Sequence, residues 1–179
     1  MITIINLYGG PGTGKSTSAA KLFAMMKDRG LNVELVREYV KEWAWENRPI
    51  SVYDQIYFLG KQSRKESLLY GKVDYIVTDS PVLMSAAYAS LGSKELYGGI
   101  WYTATAFYNL AKEEGHKHVH VYLERSKAYN PAGRFQTEEE AIKMDKRIRK
   151  MLAIFAPNDT IISQTSDEAL TELLGKIVP

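Results

Sequence analysis

Gly9-Gly10-Pro11-Gly12-Thr13-Gly14-Lys15-Ser16 follows the β-rich run Ile2-Thr3-Ile4-Ile5-Asn6-Leu7-Tyr8. It precedes a segment, 15–29, in which Ala19, Leu22, Phe23 and Met26 recur at helical spacing. The octet fills the pattern G-x-x-x-x-G-K-[ST], and its flanks supply the strand before and the helix after that the pattern needs. Glycines let successive backbone N–H groups turn inward, and a helix opening at Lys15 aims its positive end at the same point, so the segment reads as a cradle for phosphate. Pro11 stiffens the turn. Within the cradle Gly9, Gly10, Pro11, Gly12, Thr13, Gly14, Lys15, Ser16 and Thr17 are the expected nucleotide contacts. Lys15 reaches the β- and γ-phosphates, and Ser16 offers its hydroxyl to Mg²⁺.

Working outward, strand and helix patterns alternate. Residues 32–36, Tyr75-Ile76-Val77-Thr78, 118–123 and 160–163 read as four further strands. Helices are expected over 51–70, with Ser51 as N-cap, over 82–91 and 100–114, from the Thr137-Glu138-Glu139-Glu140 capping box to about 155, and over 167–177. Five strands interleaved with helices imply an α/β fold with a parallel sheet covered on both faces.

The 179 residues suit a single domain, 1–179, and the composition, 45% hydrophobic and 25% charged, is that of an ordinary packed protein. There is no Cys, which removes disulfides, thiolate zinc sites and thiol nucleophiles. A net charge of +2 gives no global field for a polyanion, so a nucleic-acid partner needs a local basic surface. No stretch reaches the roughly 18 apolar residues of a membrane span, and the N-terminus lacks the marks of a signal peptide, so no membrane association is expected and the reading is cytoplasmic.

Phosphoryl transfer also needs a metal-holding carboxylate and a group to take the acceptor's proton. Asp79 closes the third strand in Thr78-Asp79-Ser80-Pro81, at the sheet end where ligands of open parallel sheets gather, and is the expected holder of Mg²⁺ or its water shell; the alternative is a helix cap. Glu38, after the second strand in Arg37-Glu38-Tyr39, is the candidate general base; the alternative is a solvated helix face. The polar segment at about 124–137 reads as a lid carrying Arg125 and Arg134 as clamps on developing phosphate charge. Gln55 and Gln62, among the aromatics of the 51–70 helix, are candidates for reading an acceptor base, with Arg37 beside them. His116, His118 and His120 alternate, which is ordinary strand patterning and weak grounds for a metal site. Lys143, Lys146, Arg147, Arg149 and Lys150 read as a solvated helix face, or as a basic surface for a polyanion.

Taken together, the phosphate loop, the Thr-Asp-Ser-Pro turn and the Tyr129-Asn130-Pro131-x-Gly133-Arg134 segment make the chain resemble P-loop kinases of nucleosides and nucleotides along its whole length. It is most similar to small phage-encoded members of the thymidylate-kinase-like superfamily, including the 5-hydroxymethyluracil DNA kinases. The Arg37-Glu38-Tyr39 turn also resembles the group containing the nicotinamide riboside kinase domain and its AAA-type relatives. The resemblance implies a P-loop NTPase sandwich with strand order 2-3-1-4-5, Mg-ATP at 9–17, and a nucleoside-type or DNA acceptor near Glu38, Asp79 and Gln55. Thymidylate kinases usually carry Asp-Arg where Asp79 is followed by Ser80-Pro81, which favours an acceptor hydroxyl over an acceptor phosphate. Monophosphate kinases, polynucleotide 5′-kinases and nicotinamide riboside kinases are the enzymatic rivals. A nucleotide-hydrolysing switch is the rival of another class: the guanine-reading Asn/Thr-Lys-x-Asp pattern is absent, and 179 residues leave no space for the added lid domain of an AAA+ motor.

Overall fold

In the computed structural model, which describes residues 1–89, 94–126, 128–132 and 134–178, the order along the chain is β1 (Thr3–Tyr8), α1 (Lys15–Asp28), β2 (Val33–Val36), α2 (Lys41–Trp45), α3 (Asp54–Ser67), β3 (Tyr75–Thr78), α4 (Met84–Ala89), α5 (Lys94–Glu113), β4 (Lys117–Leu123), α6 (Glu138–Phe155), β5 (Thr160–Ser163) and α7 (Asp167–Ile177). The strands form one parallel sheet in the order β2-β3-β1-β4-β5, with helices on both faces, as a P-loop NTPase sandwich requires. β1 lies at the centre because Ile4, Ile5 and Leu7 are wholly buried on both faces.

One face packs Ile5, Leu7, Val77 and Val121 against Ala19, Leu22 and Met26 of α1 and Leu170, Leu173 and Leu174 of α7. The opposite face holds two separate apolar clusters. Tyr8 and Tyr122 pack against α4, α5 and α6 at the carboxyl end of the strands, while Ile2, Ile4, Val36 and Ile76 pack against Leu69, Tyr70 and Val73 at the other end.

Local chemistry accounts for the helix ends. At α6 Thr137 Oγ1 accepts the Glu140 N–H (3.3 Å) and the Glu140 carboxylate accepts the Thr137 N–H (2.8 Å), the reciprocal box expected there. At α3 the expected cap is inverted. Ser51 donates its N–H and hydroxyl to Asp54, both at 2.8 Å, and the helix starts at Asp54, because a carboxylate in the first turn is itself favoured by the helix dipole. α5 begins at Lys94 and runs through Gly98 and Gly99; two glycines cost about 1 kcal/mol each, which the burial of Ile100, Ala104 and Ala111 offsets. α4 spans Met84–Ala89 and starts two residues later than the expected 82–91, of which Ser90 and Leu91 lie outside the described residues. α2 is an element the periodicity does not predict.

The histidines do not converge on an ion: among the described residues no group of three His, Cys, Asp or Glu side chains is placed to hold a metal. Instead His120 bridges the Tyr8 and Tyr108 hydroxyls at 3.0 and 3.1 Å, and the His116 ring lies 4.4 Å from that of Tyr70.

Candidate active site

The phosphate loop joins β1 to α1 at the carboxyl edge of the sheet. Gly14 is the N-cap of α1 at φ 93°, in the left-handed region that admits glycine, and no side chain caps the helix. The N–H groups of the first turn therefore point out of the helix with no partner inside it, an anion site by construction. Lys15 Nζ donates to the carbonyls of Gly9 (2.7 Å) and Gly10 (3.0 Å), which pins the ammonium across the loop, and Thr13 Oγ1 donates to the Gly10 carbonyl at 3.0 Å. Burial lowers the Lys15 pKa, a shift that Glu38, Asp79 and Asp145 oppose by favouring its charge.

Next to the loop, the turn after β2 is tied to the end of β3. Asp79 is 2% exposed and its Oδ1 accepts the Glu38 N–H at 2.8 Å. Glu38 itself is half-buried between β2 and α2, in the cavity wall and on no helix face. Burial raises its pKa; the Lys15 ammonium pulls it back down and the Asp79 carboxylate adds to the rise. The hydroxyl of Ser16 and the carboxylates of Asp79 and Glu38 are hard oxygen donors. They are too few to cage a cation alone, which is the donor set suited to Mg²⁺, an ion that keeps its waters and shares phosphate oxygens.

A cavity of about 420 Å³ runs from Gly12, Gly14, Lys15, Ser16 and Thr17 past Glu38 to Gln55, Phe58, Gln62 and Tyr88. Gln62 is 4% exposed; its Oε1 accepts the Tyr39 N–H at 3.2 Å, which fixes the amide and leaves Nε2 as a buried donor with no partner among the described residues. Gln55 lines the same wall. Arg37 does not: its side chain is exposed outside the lining, and only its carbonyl is engaged, by Lys65 at 3.3 Å. The strand ends at Val36 and alternation turns residue 37 outward and 38 inward.

The segment 124–137, expected as a lid, contacts the phosphate loop through Arg125; Lys127 and Gly133 within it lie outside the described residues. Arg125 donates through Nε to Asp145 (2.8 Å) and through Nη2 to the Pro11 carbonyl (2.9 Å), and the other Asp145 oxygen accepts the Gly10 N–H at 2.6 Å. A side chain at residue 10 would have its Cβ 2.5 Å from that Asp145 oxygen, so glycine is needed there for close approach. Arg134 lines the cavity, its guanidinium 5.3 Å from the centre of the Tyr129 ring, and the Tyr129 hydroxyl is anchored on the Gln136 carbonyl.

The sequence profile of the AAA domain family matches residues 4–168. The chain belongs to the AAA domain family. No curated protein matches it. Among solved structures this AAA domain resembles a NadR protein in complex with NR (TM-score 0.70, 16% identity), covering 98% of this chain and 50% of that one, so it spans half that protein's length. It also resembles the deoxyadenosine kinase from M. mycoides with the products dCMP and dCDP bound (TM-score 0.57, 17% identity), over 97% of this chain and 96% of that one. The dATP-bound form of that kinase matches with a TM-score of 0.56 and 16% identity over 98% of each chain. These likenesses establish a shared fold.

Three residues of the AAA domain site escaped the sequence reading. Asp145 sits among Lys143, Lys146 and Arg147, where a carboxylate looks like part of a solvated face. Tyr88 lies in a short helix with no motif, and Tyr129, whose ring covers Gly12, belongs to the Tyr129–Arg134 segment but carries no site role in the sequence.

Proposed function

We propose that this AAA domain is an ATP-dependent kinase that transfers the γ-phosphoryl group to a hydroxyl of a nucleoside-type acceptor. The observation that carries the proposal is the continuity of the cavity. One end is an uncapped helix start with a lysine, the other a buried amide donor beside an aromatic ring, and Glu38 stands between them. A hydrolytic switch has no use for the second half. In this reading Gly9–Thr17 hold the triphosphate and Lys15 stabilises charge on the γ-phosphate. Ser16 and Asp79 hold Mg²⁺, which when bound neutralises phosphate charge. The acceptor hydroxyl attacks phosphorus, the O–P bond forms as the bridging P–O bond to ADP breaks, and the hydroxyl proton passes to the Glu38 carboxylate. A base raised by burial suits that transfer. Gln55 and Gln62 hold the acceptor base, Arg134 closes over the phosphates, and Arg125 supports the loop from the lid side. Arg37, exposed at the rim, is reserved for an acceptor that extends beyond the cavity. The fold-level likeness to a deoxyadenosine kinase over nearly the full length of both chains supports this reading.

For the acceptor, the surface outside Gln55 favours a base carried in DNA, with 5-hydroxymethyluracil as the named candidate, over a free nucleoside. Trp45 is 65% exposed and Tyr53 82%, and cations sit over neighbouring rings: Arg48 over Trp43 at 3.7 Å, and Lys61 over Tyr39 and Tyr57 at 5.8 and 5.3 Å. Exposed rings interleaved with cations are what a nucleic-acid strand stacks on and pairs its phosphates with. Such a role belongs in the cytoplasm, where ATP is at hand. The test is to supply Mg²⁺ and γ-labelled ATP with free nucleosides, nucleoside monophosphates, 5′-hydroxyl oligonucleotides and hydroxymethyluracil-containing duplex. Label on the modified duplex supports the full reading. Label on a free nucleoside keeps the kinase and removes the DNA. Release of inorganic phosphate with no labelled acceptor overturns both.

A further inference from the structure

A second cavity, about 340 Å³, lies on the α3–α5 side of the sheet, and none of the residues given a role in transfer lines it. It occupies the gap between the two apolar clusters of that face, where the sheet presents Asn6, Tyr8 and His118 instead of aliphatic side chains. A polar layer inside a core costs stability unless each group is paired. Here several are not. Glu66, 3% exposed, receives the Tyr70 hydroxyl on Oε1 at 2.9 Å, but its Oε2 has no hydrogen-bond partner among the described residues, and neither do Ser63 Oγ and His118 Nε2.

The donor and acceptor roles follow from the neighbours. The Asn6 amide nitrogen donates to the Ile4 carbonyl at 2.9 Å, which fixes its orientation, and it lies 3.3 Å from His118 Nδ1. An amide nitrogen only donates, so Nδ1 accepts and the ring proton of neutral His118 sits on the unpartnered Nε2. Burial and the nearby cations and histidines keep that ring neutral, with its pKa pushed down to about 3. The cavity therefore offers, with Glu66 ionised, a carboxylate acceptor, a hydroxyl and a ring N–H donor, with Tyr8 and Tyr108 among its walls.

We propose that this cavity is a second small-molecule site, separate from the transfer site, that takes an uncharged planar heterocycle bearing an amide or lactam edge. Such a ligand presents one N–H to Glu66 and one carbonyl to His118, and its ring stacks between apolar walls. An alkylammonium ion would answer the carboxylates of Glu66 and Glu114, meet the repulsion of Arg64, and leave the His118 donor and the aromatic walls without a match.

Uracil and nicotinamide, with n-butylamine as the cationic comparison, are titrated into the ¹⁵N-labelled protein, and amide shifts are followed in the wild type, Glu66→Leu and Ser63→Leu. Ser63→Leu fills the cavity from a helical position without disturbing Glu66. Saturable shifts at residues 63–70 and 118, weakened at least about tenfold in either folded variant and retained in Lys15→Ala, support the site. The idea is overturned by no saturation up to about 10 mM, by shifts confined to Gly12–Thr17 and Gln62, or by n-butylamine binding more tightly than either heterocycle. Because the readout is binding in a variant impaired at the phosphate loop, it does not depend on the kinase assignment.

Discussion

Glu66→Gln should remove from this protein one contribution to stability that falls as pH rises from about 4.5 to about 7. Burial lifts the Glu66 pKa from 4.5 to about 7, even though the Tyr70 hydroxyl at 2.9 Å favours the charged form. At roughly 1.4 kcal/mol per tenfold change in proton affinity, that displacement is worth about 3 kcal/mol. The sign follows from linkage. The unfolded chain releases this proton near 4.5 and the folded chain near 7, so between those values the unfolded state binds fewer protons and stability falls as pH rises, levelling off above about 7. His118, which faces Glu66 across the cavity, is neutral in the folded chain down to about 3 but takes up a proton near 6.5 when unfolded. It therefore adds a stability that rises with pH over the same window in both proteins and cancels in their difference. Urea unfolding of both proteins from about pH 4 to about pH 8 gives the difference in stability at each point. The advantage of the wild type over the Gln variant should shrink by about 3 kcal/mol across that range. A difference constant to within about 0.5 kcal/mol would refute the reasoning, since it would mean that Glu66 ionises as it does in water.

Lys15→Ala should lower kcat by about 10²- to 10³-fold with little change in the unfolding midpoint, as measured by labelled-phosphate transfer and urea titration. Glu38→Gln should cost about 10²- to 10⁴-fold in kcat and abolish the rise of rate with pH, a rise placed above the usual carboxylate range because burial raises the wild-type pKa. Asp145→Asn should raise the KM for ATP by about tenfold while leaving acceptor KM unchanged in steady-state kinetics, because it weakens the bonds to Gly10 and Arg125.

What the chain reveals in one dimension is what is encoded locally. The phosphate loop and β3 are contiguous patterns whose meaning needs no partner, and the α6 capping box lies within four residues, Thr137 to Glu140. α2 was illegible because five residues, Lys41–Trp45, carry no side-chain cap and no full period; the helix exists because Trp43 is buried against Phe58, with ring centres 4.8 Å apart. Gln62, a candidate base reader in the sequence, and Glu66, to which the pattern assigns no role, sit one turn apart on α3, and each is buried in a different cavity. Which way each points depends on β1, α5 and the β2–α2 turn, none of them neighbours in the chain. Arg37 and Glu38 show the limit from the other side: the turn was found, but which of the two side chains enters the cavity was set by where β2 ends.

The bond from Gly10 N–H to Asp145 spans 135 positions. As the chain emerges from the ribosome, the carboxylate that fixes Gly10 and anchors Arg125 follows the phosphate loop by 135 residues. Domains tend to fold as units, so a nascent chain that has not yet reached Asp145 would carry the whole motif and still lack its final shape. The final shape of the phosphate loop is therefore linked to the docking of α6, the helix that carries Asp145.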